Sequence, residues 1–413
     1  MRNFSTVLIY SGRGLFPIIS SPNSGIFVQR RLKILKQFGI TYTAVNQLYD
    51  EKPLLRFAKR LLGRNTNSNE NPNSYIEYPF SLYTYISDQI NILDRMLCSK
   101  YENWLFQSLK NYVQGKEFDL IHTHWVYPAG FVAGKLSIEL GIPHIIHAHG
   151  SDINILPNKS RRIKDRIVET LESSDRAIFV SNALKNKAIG LGYSGSNSCV
   201  IPNGIDSDIF DIRDKVESKC KIGLNPSIPC VGFVGNISHV KRADRFVSIF
   251  QKIYSDLEVQ FAVVGDGVLF GKVSEECKAK GLPVKFYGRV KADDVPCYMN
   301  AMDVMILPSR NEGWPCVVLE AQACGVPVVG SNNGGIPEAI GNGGKVVPDG
   351  DGFEKRFAEV VLNQLASPPS ISELRERALE FDWSKIVEKE IDVYQTLMIQ
   401  RTLRDELITK AHA

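Results

Sequence analysis

A chain of 413 residues with 44% hydrophobic and 23% charged side chains has a soluble globular balance and enough length for two domains. Its net charge of +4 is too mild to mark a nucleic-acid binder, and no run approaches the roughly 18 apolar residues of a membrane span. The eight cysteines, at 98, 199, 220, 230, 277, 297, 316 and 324, form no C-x-x-C pair, which suits reduced thiols in a cytosol and gives no metal framework.

Strand-like and helix-like segments alternate along the chain, the pattern of α/β layers with largely parallel sheets. Thr6–Tyr10 reads as a first strand; its apolar stretch is too short for a signal peptide. A loop holding Gly12 and Gly14 then leads into a helix over Gly25–Phe38. Within Glu51–Tyr85 lies the basic amphipathic stretch Leu54–Leu62, followed by the polar segment NTNSNENPNS. Arg56, Lys59, Arg60 and Arg64 suit anionic headgroups while Leu55, Phe57 and Leu62 insert; an ordinary surface helix is an equal reading. Phe118–Thr123, His144–Ala148 and Ala177–Val180 are further buried strands. The alternation restarts with strands at Cys230–Val234, Gln260–Val264, Val284–Tyr287, Val304–Leu307 and Val326–Gly330. The boundary between the halves falls near Asn203–Asp206, and the chain from Trp383 onward reads as helix.

The most informative stretch is SRNEGWPCVVLEAQACGVPVVGSNNGG, residues 309–335. The apolar run Ala301–Pro308 predicts a buried strand, with Glu312 and Gly313 in the loop at its carboxyl end. Pro315 suits the first position of a helix, which Val317–Cys324 continues and on which Glu320 rides. A helix starting just past a parallel strand points backbone N–H groups at a crevice that suits a phosphate. Two carboxylates flanking such a site can hold hydroxyls on either side of it. The plain alternative is a surface loop with two solvated glutamates.

Four of the seven histidines gather at strand ends, in His122-Thr-His124-Trp-Val-Tyr127 and His147-Ala-His149-Gly-Ser-Asp152. Alternation puts His122 and His124 on one face. An H-x-H pair suggests zinc, but no third ligand stands at a convincing spacing. Asp293-Asp294 reads as a helix start and not as a metal site.

Embedded in E-G-W-P-C-V-V-L-E and followed by Gly334-Gly335-Ile-Pro337-Glu338, the pair resembles the Glu-x7-Glu signature of the retaining nucleotide-sugar glycosyltransferases of family 4, the glycosyl transferases group 1. The resemblance covers nearly the whole chain. It implies an α/β protein of GT-B fold, two Rossmann-like doubly wound domains facing a central cleft. Residues 1–204 would form the acceptor-side domain and 205–382 the donor-binding domain; helices over 383–413 would cross back to the first domain.

Further segments match the family. Gly235 and Lys241 fit its diphosphate motif, with Asn236 where an arginine is common and Arg242 in place of a glycine. Arg242 and Arg245 are the nearby cations available to make up that charge. Gly265-Asp-Gly267 looks like a structural turn, and Tyr287-Gly-Arg289-Val290 matches the segment bordering the nucleobase. Gly25 resembles a glycine that lets backbone approach the donor phosphate. Ser181 matches a segment facing the cleft, or equally a helix N-cap, and Asn203-Gly204 a hinge turn.

By resemblance the donor site comprises Gly25, Gly235, Asn236, Lys241, Arg289, Val290, Glu312, Gly313, Trp314, Pro315, Cys316, Val317 and Glu320. His124, Tyr127, His149 and Asp152 would line the acceptor side, and Glu312, Lys241, His124 and His149 would carry catalysis. The implied reaction is retaining transfer of a hexosyl-type sugar from a nucleoside diphosphate, UDP favoured, to a hydroxyl of a saccharide or lipid-linked acceptor in polysaccharide biosynthesis. No cofactor or metal is expected. The expected partners are the nucleotide sugar, the acceptor and an anionic membrane surface, without nucleic acid, and the expected location is the cytoplasm or the cytoplasmic membrane face. A glycosidase would leave the Lys241 motif unexplained. A GT-B nucleotide-sugar epimerase and a nucleotide-sugar-binding protein without transferase activity are the remaining alternatives.

Overall fold

A computed structural model describes residues 6–11, 25–50, 80–85 and 94–412. The chain divides into two compact units. One holds Met1–Val180, Leu184–Ile201 and Val387–Ala413; the other holds Ser181–Ala183 and Pro202–Ile386.

The first unit contains β1 (Thr6–Ser11), β2 (Thr41–Asp50), β3 (Phe80–Tyr85), β4 (Leu120–His124), β5 (His144–Ala148), β6 (Arg176–Phe179) and β7 (Ser198–Val200). They form one sheet in the order β3-β2-β1-β4-β5-β6-β7, with every pair parallel. Val7–Tyr10 and all of β4 and β5 are buried. Such unbroken burial belongs to parallel sheets covered on both faces. The order reverses between β1 and β4, which makes the carboxyl ends of those strands a topological switch point.

The second unit repeats this plan with β8 (Cys230–Val234), β9 (Gln260–Val264), β10 (Val284–Gly288), β11 (Val304–Leu307), β12 (Val328–Ser331) and β13 (Gly344–Val347). Their order, β10-β9-β8-β11-β12-β13, puts its switch point between β8 and β11. Helix Phe246–Asp256 buries Phe246, Val247, Ile249, Phe250 and Ile253, a stripe at helical spacing, and Phe250 stacks on Phe261 of β9 at 4.3 Å. No helix among the described residues is long and apolar enough to cross a membrane.

Several expectations shift. β4 starts at Leu120, two residues later than expected, because the Asp119 side chain accepts the Thr6 N–H and leads the chain in. His124 is therefore the last strand residue and pairs in register with His147. In the second unit Ala301 and Met302 close the preceding turn through bonds to Cys297 and Met299, so only Val304–Leu307 is strand. Pro315 is the N-cap of helix Cys316–Ala323, with extended φ −81° and ψ 91°, and not its first residue. β12 begins at Val328 because Val326 still donates back to Ala321 and Pro327 has no N–H to give. Strands β2, β3, β7 and β13 were not anticipated. The basic stretch Leu54–Leu62, Gly12 and Gly14 lie outside the described residues.

Candidate active site

The carboxyl-end loops of β8 and β11 meet at the second unit's switch point. After β8 the chain turns at Gly235, whose φ of 151° is glycine territory. Gly235 N–H donates to Val264 O at 3.0 Å and Ile237 N–H to Asp266 O at 2.9 Å. Arg310 N–H reaches Val240 O at 2.8 Å, joining the two switch-point loops directly. Lys241 Nζ then lies 2.5 Å from Glu312 Oε1, on side chains that keep 21% and 14% of their exposure.

The Glu312 loop is held from behind by Gly334 and Gly335. A Cβ on Gly334 would stand 2.2 Å from Glu312 O, and one on Gly335 2.1 Å from Gly313 O. The close approach allows Gly335 N–H to donate to Glu312 O at 2.9 Å. Ser181 Oγ donates to Gly313 O at 2.8 Å. Trp314 Nε1 donates to Asn203 O at 3.0 Å, and its ring packs on Phe381. Ser181 thus ties this loop to the start of helix Asn182–Gly190, where the Glu338 carboxylate accepts the Asn182 and Ala183 N–H groups at 2.8 and 2.7 Å.

Cys316, Val317 and Glu320 follow on the helix, all half-buried, with Glu320 one turn in. Asn236 is exposed, and its Oδ1 lies 2.7 Å from where a Cβ on Gly267 would stand. Arg289 is exposed beyond β10, with β9 between its strand and β8; Val290 packs on the core. The two neighbouring arginines are committed elsewhere. Arg242 Nη2 is 2.6 Å from Asp349 Oδ2, with its guanidinium 4.5 Å from the Phe353 ring centroid, and Arg245 pairs with Glu354. Arg242 has φ 56°, the left-handed conformation that explains why glycine is common at this position.

In the first unit the carboxyl ends of β4 and β5 carry a row of imidazoles. His124 Nδ1 lies 2.9 Å from His149 Nε2, and His122 Nδ1 lies 2.6 Å from the Tyr394 hydroxyl. Gly25, at φ 63°, opens helix Ile26–Gln37, whose Phe27 ring sits 4.7 Å from His149. One turn on, Arg31 Nε meets Glu390 Oε1 at 2.6 Å with neither side chain exposed. Burial first, then the Arg31 charge, holds His147 and His149 well below the usual imidazole range. Burial also dominates at His122 and His124. All four are neutral near pH 7.

Two expected acceptor-side residues turn inward. Asp152 is fully buried and accepts the His149 and Gly150 N–H groups at 3.1 and 2.7 Å; burial lifts its carboxyl to about 6 against those bonds. Tyr127 donates to Glu102 Oε1 at 3.1 Å. The expectation that H-x-H lacks a third nitrogen is corrected by β5, which sets His147 beside His124. Sequence reasoning also missed Arg31 and the pair Glu390 and Tyr394, one turn apart on helix Trp383–His412, which meet Arg31 and His122 across hundreds of residues. Trp125, directly after His124, has φ 94°, an outlier for a bulky residue and a frequent mark of functional loops. The H-T-H-W run was the available signal for it.

Comparison with known proteins joins these halves to one family. The model for Glycosyltransferase Family 4 matches residues 90–209 and that for Glycosyl transferases group 1 matches residues 228–367. The N-acetyl-alpha-D-glucosaminyl L-malate synthase of Bacillus anthracis is 28% identical over 74% of this chain and 81% of its own. The putative teichuronic acid biosynthesis glycosyltransferase TuaC of Bacillus subtilis is 24% identical over 94% of this chain and 92% of its own. Among solved structures, Anabaena HepE in complex with UDP superposes with a TM-score of 0.68 at 18% identity, covering 95% of this chain and all of HepE. With two doubly wound parallel sheets, the glycine-backed Glu312 loop and both family models in place, this chain is a glycosyltransferase of GT-B fold and belongs to family 4, the glycosyl transferases group 1.

Proposed function

We propose that the enzyme transfers a hexosyl-type sugar, with retention, from a nucleoside diphosphate to a hydroxyl of a saccharide or lipid-linked acceptor during polysaccharide biosynthesis. The observation that carries this is the Lys241–Glu312 pair at 2.5 Å on the second unit's switch point. Each partner neutralises the other while the donor is away. A bound nucleotide sugar separates them: Lys241 turns to the diphosphate and Glu312 to the sugar hydroxyls. The exchange replaces one ion pair by two charge-assisted contacts on the substrate.

The difficult part of the reaction is charge, because diphosphate leaves as the sugar becomes oxocarbenium-like. Lys241 and the amino end of helix Cys316–Ala323 supply preorganised stabilisation, without a metal ion. With Arg242 and Arg245 in ion pairs, Asn236 leaves Lys241 as the side-chain cation of this motif. Glu320 holds the ribose hydroxyls, and His124 and His149, both neutral, meet the transferred sugar and acceptor. Retention follows from attack on the face the diphosphate leaves, with phosphate oxygen taking the acceptor proton.

UDP is the preferred carrier because HepE, a neighbour in fold, binds it, and a surface-polymer acceptor follows TuaC. The described cysteines are all free, in keeping with a reducing cytoplasm. Lipid-linked acceptors would bring the enzyme to the inner membrane face.

Titration calorimetry with UDP, GDP and ADP, without added metal, tests the reading. One nucleotide should bind, and Lys241→Met and Glu320→Ala should each weaken it at least tenfold. Full affinity in both variants would remove the donor site from this loop pair.

A further inference from the structure

The histidine row contains more than the transfer reaction uses. His122, His124 and His147 each offer a ring nitrogen within 4.8 Å of the other two, on side chains with no exposure. His122 Nε2, His124 Nε2 and both nitrogens of His147 have no hydrogen-bond partner among the described residues. A buried polar atom left unbonded carries its full desolvation cost, so several together mark a place where a ligand belongs.

The chemistry of the donors selects that ligand. Neutral imidazoles present lone pairs, and the second bond of each ring decides where. His122 Nδ1 is engaged by the Tyr394 hydroxyl at 2.6 Å and His124 Nδ1 by His149 at 2.9 Å, which leaves Nε2 of both for the cluster. Metal-bound histidines show this pattern, with the other nitrogen held by a neighbour. Glu390 Oε1 stands 3.8 Å from His147 Nδ1, and its charge offsets that of Arg31 beside it.

We propose that His122, His124 and His147 bind one divalent transition ion, zinc foremost, inside the first unit. Three imidazoles are a familiar zinc set, with Zn–N near 2.0–2.1 Å and thus nitrogens about 3.4 Å apart. The rings now lie close to parallel, His122 and His147 at 9°, so binding swings them inward about χ2, a soft torsion. The ion acts as a clasp between β4 and β5, beneath the loops that begin at Trp125 and His149. By fixing His124 through Nε2 it directs Nδ1–H at His149. The site stands apart from the donor loops; because it engages both nitrogens of His124, it leaves His149 as the imidazole that meets sugar and acceptor.

The test uses the full chain, stripped with a chelator and titrated with Co2+ alone, then with Zn2+. One Co2+ per chain is expected, with visible bands of tetrahedral nitrogen ligation, displacement by Zn2+, and a thermal midpoint raised by several degrees. His147→Gln and His122→Gln should each lose all three signs. X-ray absorption of the wild-type zinc form gives an arm that needs no variant, and imidazole scattering is expected there. No retained ion after gel filtration, wild-type binding by either variant, or sulfur in the zinc shell would each overturn the proposal.

Discussion

Replacing Gly335 by alanine isolates the support behind Glu312. Gly335 has φ −79° and ψ 4°, a backbone open to any residue, so an added methyl acts by sterics alone. Its Cβ would stand 2.1 Å from Gly313 O, where ordinary contact begins at 3.4 Å, so loop or helix must yield by about 1.3 Å. That movement breaks the Gly335 N–H bond to Glu312 O and the Ser181 bond to Gly313 O. Each is worth about 1 kcal/mol, and overpacking adds roughly 1–3 kcal/mol, for a loss of about 3–5 kcal/mol. The thermal midpoint should fall by roughly 10 °C. A carboxylate displaced by more than an ångström should also cost about 100-fold in transfer. Calorimetry and nucleotide-sugar turnover read the two effects. Gly271→Ala is the control: its Cβ meets nothing within 4 Å inside helix Phe270–Ala279, and it should stabilise by about 0.5–1 kcal/mol. Wild-type unfolding together with wild-type turnover in Gly335→Ala would refute the reasoning.

Other perturbations probe separate features. Arg242→Ala loses the Asp349 pair and the Phe353 stack while keeping φ 56°, and should cost about 2 kcal/mol in urea unfolding; Arg242→Gly should recover about 1 kcal/mol of that. Arg31→Met strands Glu390 in the core and should destabilise by about 3–5 kcal/mol, whereas Arg31→Met with Glu390→Leu should restore most of the loss, as denaturant midpoints would show. Acid should weaken the fold through its buried histidines. Burial lowers His144 to about 3, so the unfolded chain binds the proton first, and stability present above pH 6.5 declines as pH falls from there towards 3. That single group removes about 2 kcal/mol by pH 5. Asp152, raised to about 6, works the other way between pH 6 and 4. Because the four other buried imidazoles shift in the same direction as His144, unfolding midpoints should fall between pH 6.5 and 5.

What the sequence disclosed follows the range of the forces involved. Apolar runs such as CVGFV and QFAVV announce buried parallel strands because period and burial are local, and these two matched to the residue. The Glu312 loop was legible for the same reason: proline, glycines and carboxylates sit within one strand-loop-helix unit. β3, β7 and β13, at the sheet edges, escaped notice, as did β2 beside β3. The histidine row was half legible. H-x-H and H-x-H each show in sequence, but their meeting depends on the β4–β5 register. Nothing local links Arg31 to Glu390; burying two charges succeeds only where the fold brings them together. Arg242 looked like a spare cation because charge is visible in a sequence and the commitment of that charge to Asp349 is not.

The closing helix, Trp383–His412, starts in the second unit and ends in the first, where it delivers Glu390 and Tyr394. The first unit is therefore discontinuous in the order of synthesis. On a ribosome, Arg31 emerges more than 350 residues before the carboxylate that neutralises it, and the entire second unit is made in between. The amino-terminal half cannot reach its final core as it is made, and must wait with a buried-charge position open until helix Trp383–His412 follows. A fragment stopping at residue 201 would be held in that waiting state permanently, whereas the later unit, nearly continuous from Pro202 to Ile386, is free to fold as soon as it is made.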